Sequence, residues 1–277
     1  MFYWWVLWVA VPTTYLQFHL VLTLPLLALL WYLAPAYASP RRRRGAAGLA
    51  ILVGIAYAYT TPWGSYMIQR GVWWYGEGVV TASMLSIPAG EYLFFAVQTL
   101  IVGFYLYWRG FDPRYEPGDF ARLPRVAGVV AGLTLFAGGL WMALQQDAWL
   151  YLGGLLAWVG PVVALQWAVG GGYLVRRPRA WIEAAVVPTI YLWVIDRWAI
   201  GRGLWVLSEQ YTTGIAPFGL PIEEILFFLS AGVMTVTGLV LFEWVLDWND
   251  RRTTAVAGEV WLSLRQRMKA PFEILLQ

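Results

Sequence analysis

RGVWWYGE (Arg70–Glu77) returns as RGLWVLSE (Arg202–Glu209), with Arg, Gly, Trp and Glu aligned at an offset of 132 residues. A second pair follows each copy. IPAGEYLFF (Ile87–Phe95) aligns with LPIEEILFF (Leu220–Phe228) on Pro, Glu, Leu and two Phe, one inserted residue later. Upstream, Pro25, Ala28 and Trp31 keep the spacing of Pro161, Ala164 and Trp167. Coincidence in an apolar alphabet produces matched Leu and Phe. It does not readily produce Arg-Gly-x-Trp-x-x-x-Glu twice, so the chain reads as a duplication.

The material between the motifs is apolar. Of the 277 residues, 60% are hydrophobic and 13% charged, against about 25% charged in an ordinary soluble domain. A hydrocarbon layer about 30 Å thick takes about 20 helical residues. Seven segments qualify, at roughly 14–34, 46–62, 88–108, 124–145, 148–171, 180–200 and 220–247. Pro25, Pro161 and Pro188 fall inside them, which membrane helices tolerate. The expected fold is therefore an all-α membrane protein of seven transmembrane helices. Residues 14–108 form repeat 1 (helices 1–3), 124–145 a linker helix, 148–247 repeat 2 (helices 5–7), and 254–277 a tail. Four crossings separate helices 1 and 5, so the repeats run parallel, related by a pseudo-two-fold axis along the membrane normal.

Arginines set the expected orientation. Arg41–Arg44 lie between helices 1 and 2, Arg109, Arg114 and Arg122 between 3 and 4, and Arg176, Arg177 and Arg179 between 5 and 6. Arg251, Arg252, Arg265, Arg267 and Lys269 follow helix 7. The alternate links hold only Arg70, none, and Arg202. Positive loops stay in the cytoplasm, which puts the N-terminus outside and the C-terminus inside a cell membrane. Residues 254–268 read as an amphipathic helix on the cytoplasmic surface, with Val256, Val260, Trp261, Leu264 and Met268 on one side. Met1–Thr13 lacks a basic start and a small-residue cleavage site, so no removable signal peptide is expected.

Several chemistries lack their residues. There is no cysteine, one histidine (His19) and a net charge of +3, so neither a common zinc site nor nucleic-acid binding is expected. No strand-linked Gly-x-Gly-x-x-Gly or Walker loop is present, and Gly170–Gly172 ends a membrane helix. No Asp-rich magnesium motif occurs. The only lysine, Lys269, stands in the tail, where it cannot serve as the helix-7 Schiff base of a retinal protein.

The remaining candidates sit on the outer side. Pro88 and Pro221 fit the first helical position, which places Glu91 and Glu224 in the first turns of helices 3 and 7. Two readings stand for them and for Glu223: helix-start residues at an interface, or buried functional acids. Asp196, near the outer end of helix 6, is either a buried acid or half of a surface pair with Arg197. Arg70 and Arg202 are read as loop anchors or partners of Glu77 and Glu209, His19 as a satisfied polar residue, and Glu183 as structural.

TPWGSYMIQRGVWWY (Thr61–Tyr75), IPAGEYLFF and LPIEEILFF together resemble the lycopene cyclase domain family of small integral-membrane carotenoid cyclases, over residues 14 to 247. Two positions depart from its pattern: Gly90 stands opposite Glu223, and Gly64 stands where an Asp is expected. The resemblance implies a redox-neutral cyclisation of the acyclic ends of a lipophilic carotenoid, without cofactor or metal, in contact with the bilayer and with other carotenoid-pathway enzymes as conceivable partners. An acid protonates carbon 2 of the terminal double bond. The 5,6 double bond attacks the cation at carbon 1, and a base removes the proton from carbon 6. Such a site must be dry, needs a carboxylic acid that keeps its proton, which burial favours, and gains from aromatic faces beside the cation. The implied acid–base set is Glu91, Glu223, Glu224 and Asp196. Glu223 is expected to orient the acid or to take the proton, and a Glu restored at position 90 to be harmless. The implied substrate contacts are Trp63, Trp73, Phe94, Phe95, Trp205, Phe227 and Phe228. The alternatives are a membrane transporter of three-plus-one-plus-three repeats and a cyclase or hydratase of a longer carotenoid.

Overall fold

The computed structural model describes residues 13–34 and 42–274. The first twelve residues, Arg41 and the side chains beyond Thr254 lie outside that description, so the readings of the N-terminal segment and of the tail's apolar side are not taken further. Seven long helices follow in order: α1 (Tyr15–Leu33), α2 (Arg42–Gln69), α3 (Ala89–Arg109), α4 (Arg122–Gln145), α5 (Leu150–Arg176), α6 (Pro178–Gly201) and α7 (Ile222–Ile274). Among the described residues, six are long and apolar enough to cross a membrane. α6, which carries Arg179, Glu183, Asp196 and Arg197, is not one of the six.

The boundaries depart from expectation in ways proline explains. α2 runs straight through Pro62 and continues to Gln69, past the expected end at 62. α1 takes a π turn over His19–Thr23 immediately before Pro25. That proline has no N–H to donate and its ring crowds the carbonyl four residues back, so a widened turn is the local remedy. Pro88 stands just before α3 with an extended ψ of 148° and so acts as its cap, not as its first helical residue. α7 likewise starts at Ile222, after Pro221, and its backbone stays helical through Thr254 instead of yielding a separate tail helix.

α4 and α5 pack backbone to backbone. A Cβ built on Gly132 would lie 2.6 Å from Gly160 O, and one on Gly139 2.6 Å from Gly153 O. Small residues at membrane helix seams permit this approach, where van der Waals packing replaces the hydrophobic drive.

At one end of the bundle, charged groups tie the links together. Asp119 is fully buried and accepts from Arg176, Arg177 and Trp244 Nε1 at 3.0, 3.1 and 3.1 Å. Glu183 pairs with Arg109 at 2.6 Å, in the structural role expected of it. At the other end lie two short ribbons. β1 (Trp73–Tyr75) pairs antiparallel with β4 (Trp205–Leu207), and β2 (Ser83–Met84) with β3 (Ile87–Pro88). Trp73–Tyr75 and Trp205–Leu207 fall on links expected to be loops, and Pro88 falls on the expected start of helix 3.

Candidate active site

The repeated motifs meet each other. Trp73 pairs with Leu207, Trp74 with Val206 and Tyr75 with Trp205. Gly76 N donates to Leu204 O at 3.1 Å, and Ser208 N donates to Val72 O at 2.9 Å. Gly71 and Gly203, at φ of +72° and +70°, turn the chain out of α2 and α6 into these strands. Strand side chains alternate in direction. Trp73, Tyr75, Trp205 and Leu207 therefore face a common cavity, while Trp74 is exposed on the other side. Arg70 and Arg202 lie over the rings of Tyr211 and Trp198.

The same ribbon region pins the starts of two helices. Tyr15 N donates to Val79 O at 3.2 Å, and Tyr151 N donates to Tyr211 O at 3.1 Å. Thr14 caps α1 through a reciprocal box with Gln17, which fixes the first turn. Both tyrosines are buried and project under the ribbon.

The cavity below has a volume of about 50 Å³. Three carboxylic side chains line it: Glu91 from α3, Asp196 from α6 and Glu224 from α7. Each has one fixed neighbour. The Tyr15 hydroxyl donates to Glu91 Oε2 in a short contact, and the Tyr151 hydroxyl donates to Glu224 Oε1 at 2.7 Å. Trp205 Nε1 donates to Asp196 Oδ1 at 3.0 Å, while Asp196 Oδ2 is buried without a hydrogen-bond partner. Asp196 is 2% exposed, which settles its two readings in favour of a buried acid. Tyr75, on the ribbon above, accepts from Trp73 Nε1 at 3.2 Å. Burial, and then the nearby Glu91, hold the Tyr75 phenol well above its ordinary value, so it stays neutral.

Aromatic faces make up much of the remaining wall. Trp63, Trp73, Phe94, Phe95, Trp205, Phe227 and Phe228 all line the cavity, so every anticipated aromatic contact is gathered there. Trp63 stacks on Phe227 at 5.9 Å and 9° and on Trp158 at 5.2 Å and 23°. These faces present the negative side of the ring quadrupole.

Glu223 departs from the others. It is fully buried but does not line the cavity; its Oε1 accepts from Thr213 N at 2.7 Å, holding the link between α6 and α7. Its counterpart Gly90 has no room for a side chain. A Cβ there would lie 2.5 Å from Tyr15 Cγ, so a Glu at position 90 is not the harmless restoration expected of it. His19 is satisfied, as expected, by Thr23 Oγ1 at 2.9 Å and the Gly90 carbonyl at 2.8 Å. The carbonyl can only accept, which puts the ring proton on Nε2. The His19 ring stacks on Tyr15 at 5.0 Å and 11°.

Two site residues went unrecognised in the sequence: Tyr15 and Tyr151. They stand 136 residues apart, the spacing of Pro25 and Pro161. Extending that alignment ten residues upstream would have paired them.

Taken together, these features define a helical membrane protein whose buried carboxyl groups share an aromatic cavity with donor side chains, an arrangement suited to moving protons on an apolar molecule. Comparison with known proteins gives the class its family. The family model described as "Lycopene cyclase" matches residues 12–108 and 148–245, and the chain belongs to that family. The chain is 45% identical over 236 residues to a protein of Halobacterium salinarum named lycopene beta-cyclase, covering 84% of this chain and 98% of that one. It is 36% identical over 232 residues to a bifunctional lycopene cyclase/phytoene synthase of Phycomyces blakesleeanus, covering 80% of this chain and 38% of that one. A protein of Podospora anserina with the same name is 32% identical, with coverage of 83% and 40%. No solved structure matches the chain.

Proposed function

We propose that this protein is a lycopene β-cyclase, closing the acyclic ends of lycopene into β-ionone rings at the cavity between α3, α6 and α7. The observation that carries the reading is the pair of tyrosine-held glutamates, Tyr15–Glu91 and Tyr151–Glu224, facing one aromatic chamber. Each tyrosine occupies one carboxyl oxygen and leaves the other for the substrate. Among the lining side chains there is no Arg or Lys. Without a lining cation, charging all three neighbouring carboxyls at once is disfavoured, which favours a protonated carboxyl there to act as donor. Glu91 or Glu224 gives a proton to carbon 2. The positive charge passes from carbon 1 to carbon 5 as the 1,6 bond forms, beside the Trp63–Phe227 stack. A second carboxylate, with Asp196 the nearest candidate to Glu224 in chemistry and burial, takes the proton from carbon 6. Electrons and atoms balance within the hydrocarbon, and the proton returned equals the proton given.

The architecture in this proposal has α6 as the seventh crossing and the two halves related by a two-fold axis through the Trp74–Val206 pair. Several contacts support it. Shifting Trp73–Leu207 by the 132 offset yields Trp205–Tyr75, the pair on the other flank. The same shift turns Gly76–Leu204 into Ser208–Val72, and the tyrosine–glutamate bonds correspond at offsets of 136 for Tyr and 133 for Glu. The arginine-rich end then faces the cytoplasm and the ribbon the outside.

The test is expression in cells that accumulate lycopene, followed by pigment chromatography. The wild-type chain is expected to convert lycopene to one- and two-ringed products, and Glu91→Gln and Glu224→Gln to stop at lycopene at equal membrane levels. Hydroxylated ends would identify a hydratase. Unchanged lycopene with the wild-type chain would overturn the proposal.

A further inference from the structure

The cavity is too short for a whole carotenoid, and a second hollow adjoins it across shared wall residues. This hollow, about 510 Å³ in volume, lies between α2 and α5 with α3 and α7 as its floor. Thr60, Phe95 and Phe227 line both spaces. Its rim is apolar and open, with Ile51, Ile55 and Leu165 each about half exposed or more. Near the junction, Tyr59 bridges the two helices, donating to Trp158 O at 2.8 Å and stacking on its ring. Along α2 the lane runs from Gly48 through Thr60 to Ile68, which at 1.5 Å per residue is roughly 30 Å of straight path.

Three N–H-bearing side chains stand in these walls, Gln98 and Trp158 in the hollow and Trp63 in the cavity, each with its nitrogen enclosed and without a hydrogen-bond partner. A buried N–H without an acceptor is costly. A small turn of each side chain would bring the N–H onto a conjugated polyene, whose π-face accepts such contacts weakly along its whole length. A saturated acyl chain offers no such acceptor.

We infer that the hollow between α2 and α5 is the binding lane for the polyene chain of an acyclic carotenoid, whose end group reaches the carboxyl cavity through the Thr60–Phe95–Phe227 junction. The lane opens sideways, so the substrate enters from the bilayer. The inference rests on the cyclase reading for the identity of the end group, and its test separates the two.

The experiment uses the full chain in lipid nanodiscs and an acyclic polyene carrying a diazirine at one end. In the Glu224→Gln protein, photolysis is expected to label peptides around Gly48–Ile55 or Thr235–Phe242. Lycopene should compete with that label and excess stearic acid should not. Ala56→Trp and Ala231→Trp, which fill the lane, should each lose the label. In the active protein they should lower ring formation on lycopene at least tenfold, while a two-isoprene analogue with the same end group still cyclises within twofold of wild type. Labelling elsewhere, equal competition by stearic acid, normal turnover of lycopene by both filled variants, or loss of both substrates alike would overturn the lane. Should a filled variant fail to accumulate, the labelling pattern of the unfilled protein decides. Correct labelling in a protein that closes no rings would leave the lane standing and the cyclase reading refuted.

Discussion

Replacing Tyr151 by Phe removes one oxygen, the hydroxyl 2.7 Å from Glu224 Oε1. The ring keeps its packing, and the carboxyl loses its only hydrogen-bond donor among the described residues. Leaving a buried acceptor unpaired costs about 1–3 kcal/mol, which, if felt in full at the transition state, slows the reaction roughly 5- to 150-fold. Glu224→Gln removes the titrating group itself, and loss of a positioned acid or base costs about 10²–10⁴-fold. The informative measurement is the double variant. Tyr151 acts only through Glu224 in the proposed arrangement, so Tyr151→Phe added to Glu224→Gln should lower ring formation no further than Glu224→Gln alone. The assay is initial-rate product chromatography with purified protein in nanodiscs, membrane levels matched by immunoblot. A double variant that falls by the product of the two single effects would mean that Tyr151 touches the substrate independently, and the positioning argument would fail. A Tyr151→Phe variant at wild-type rate would refute it outright.

Three further outcomes follow from the same geometry. Glu223→Gln keeps the acceptor for Thr213 N and sits away from the cavity, so ring formation should stay within about threefold of wild type, a difference under 1 kcal/mol; a loss beyond a hundredfold in the nanodisc rate assay would restore Glu223 to the chemistry. Gly90→Ala places a methyl group 2.5 Å from Tyr15 Cγ, and such overpacking costs about 1–3 kcal/mol. Tyr15 should shift off Glu91, with activity down at least fivefold and a lowered thermal midpoint. Gly132→Val forces apart the α4–α5 seam at Ala164 N and Gly160 O. It should lower the thermal midpoint of purified protein by several degrees and leave the rate per folded molecule near wild type, because neither helix surface at that contact lines the cavity.

Legibility in the sequence followed periodicity and failed where orientation mattered. Apolar runs of helical length gave the helices, and the repeated Arg-Gly-x-Trp and Pro-x-x-Glu motifs picked out Trp73, Trp205, Phe94, Phe95, Phe227 and Phe228, which meet in the cavity. The helix ends were harder. α2 passes Pro62 because a bilayer-type helix has neighbours to compensate a missing N–H, and no local signal marks that. Glu223 and Glu224 are indistinguishable by composition. Adjacent helical residues point about 100° apart, so only one could face the chamber, and the choice depended on where α6 and the link before α7 lay. The ribbon was hidden because Trp73–Tyr75 and Trp205–Leu207 are three residues each, too short for an alternation pattern, and pair across the whole chain. Tyr15 and Tyr151 were visible in principle, but an aromatic near a membrane helix end is ordinarily an interface residue.

The departures from symmetry have a chemical logic. A cyclisation that adds one proton and removes another needs one carboxyl protonated while a second is not. Two halves identical in every side chain would present Glu91 and Glu224 in identical surroundings, with no reason for their protons to be held differently. The chain breaks that equivalence beside each glutamate. On the Glu224 side stand Asp196, held by Trp205, and Glu223, buried and held by Thr213 N. On the Glu91 side the same places hold Gly64 and Gly90, and the space at Gly90 is taken by Tyr15, against which His19 lies flat. Glu224 therefore shares its end of the cavity with a second carboxyl whose Oδ2 is unpartnered, while Glu91 faces a tyrosine backed by a ring. In the proposed reaction that difference separates the surroundings of the two glutamates, since like charges disfavour ionisation of neighbouring carboxyls and only Glu224 has a second acid at the matching position. The two matched sequence halves each bring a tyrosine-held glutamate to the chamber, and the acids present beside only one of them supply the inequality that the proposed acid–base chemistry requires.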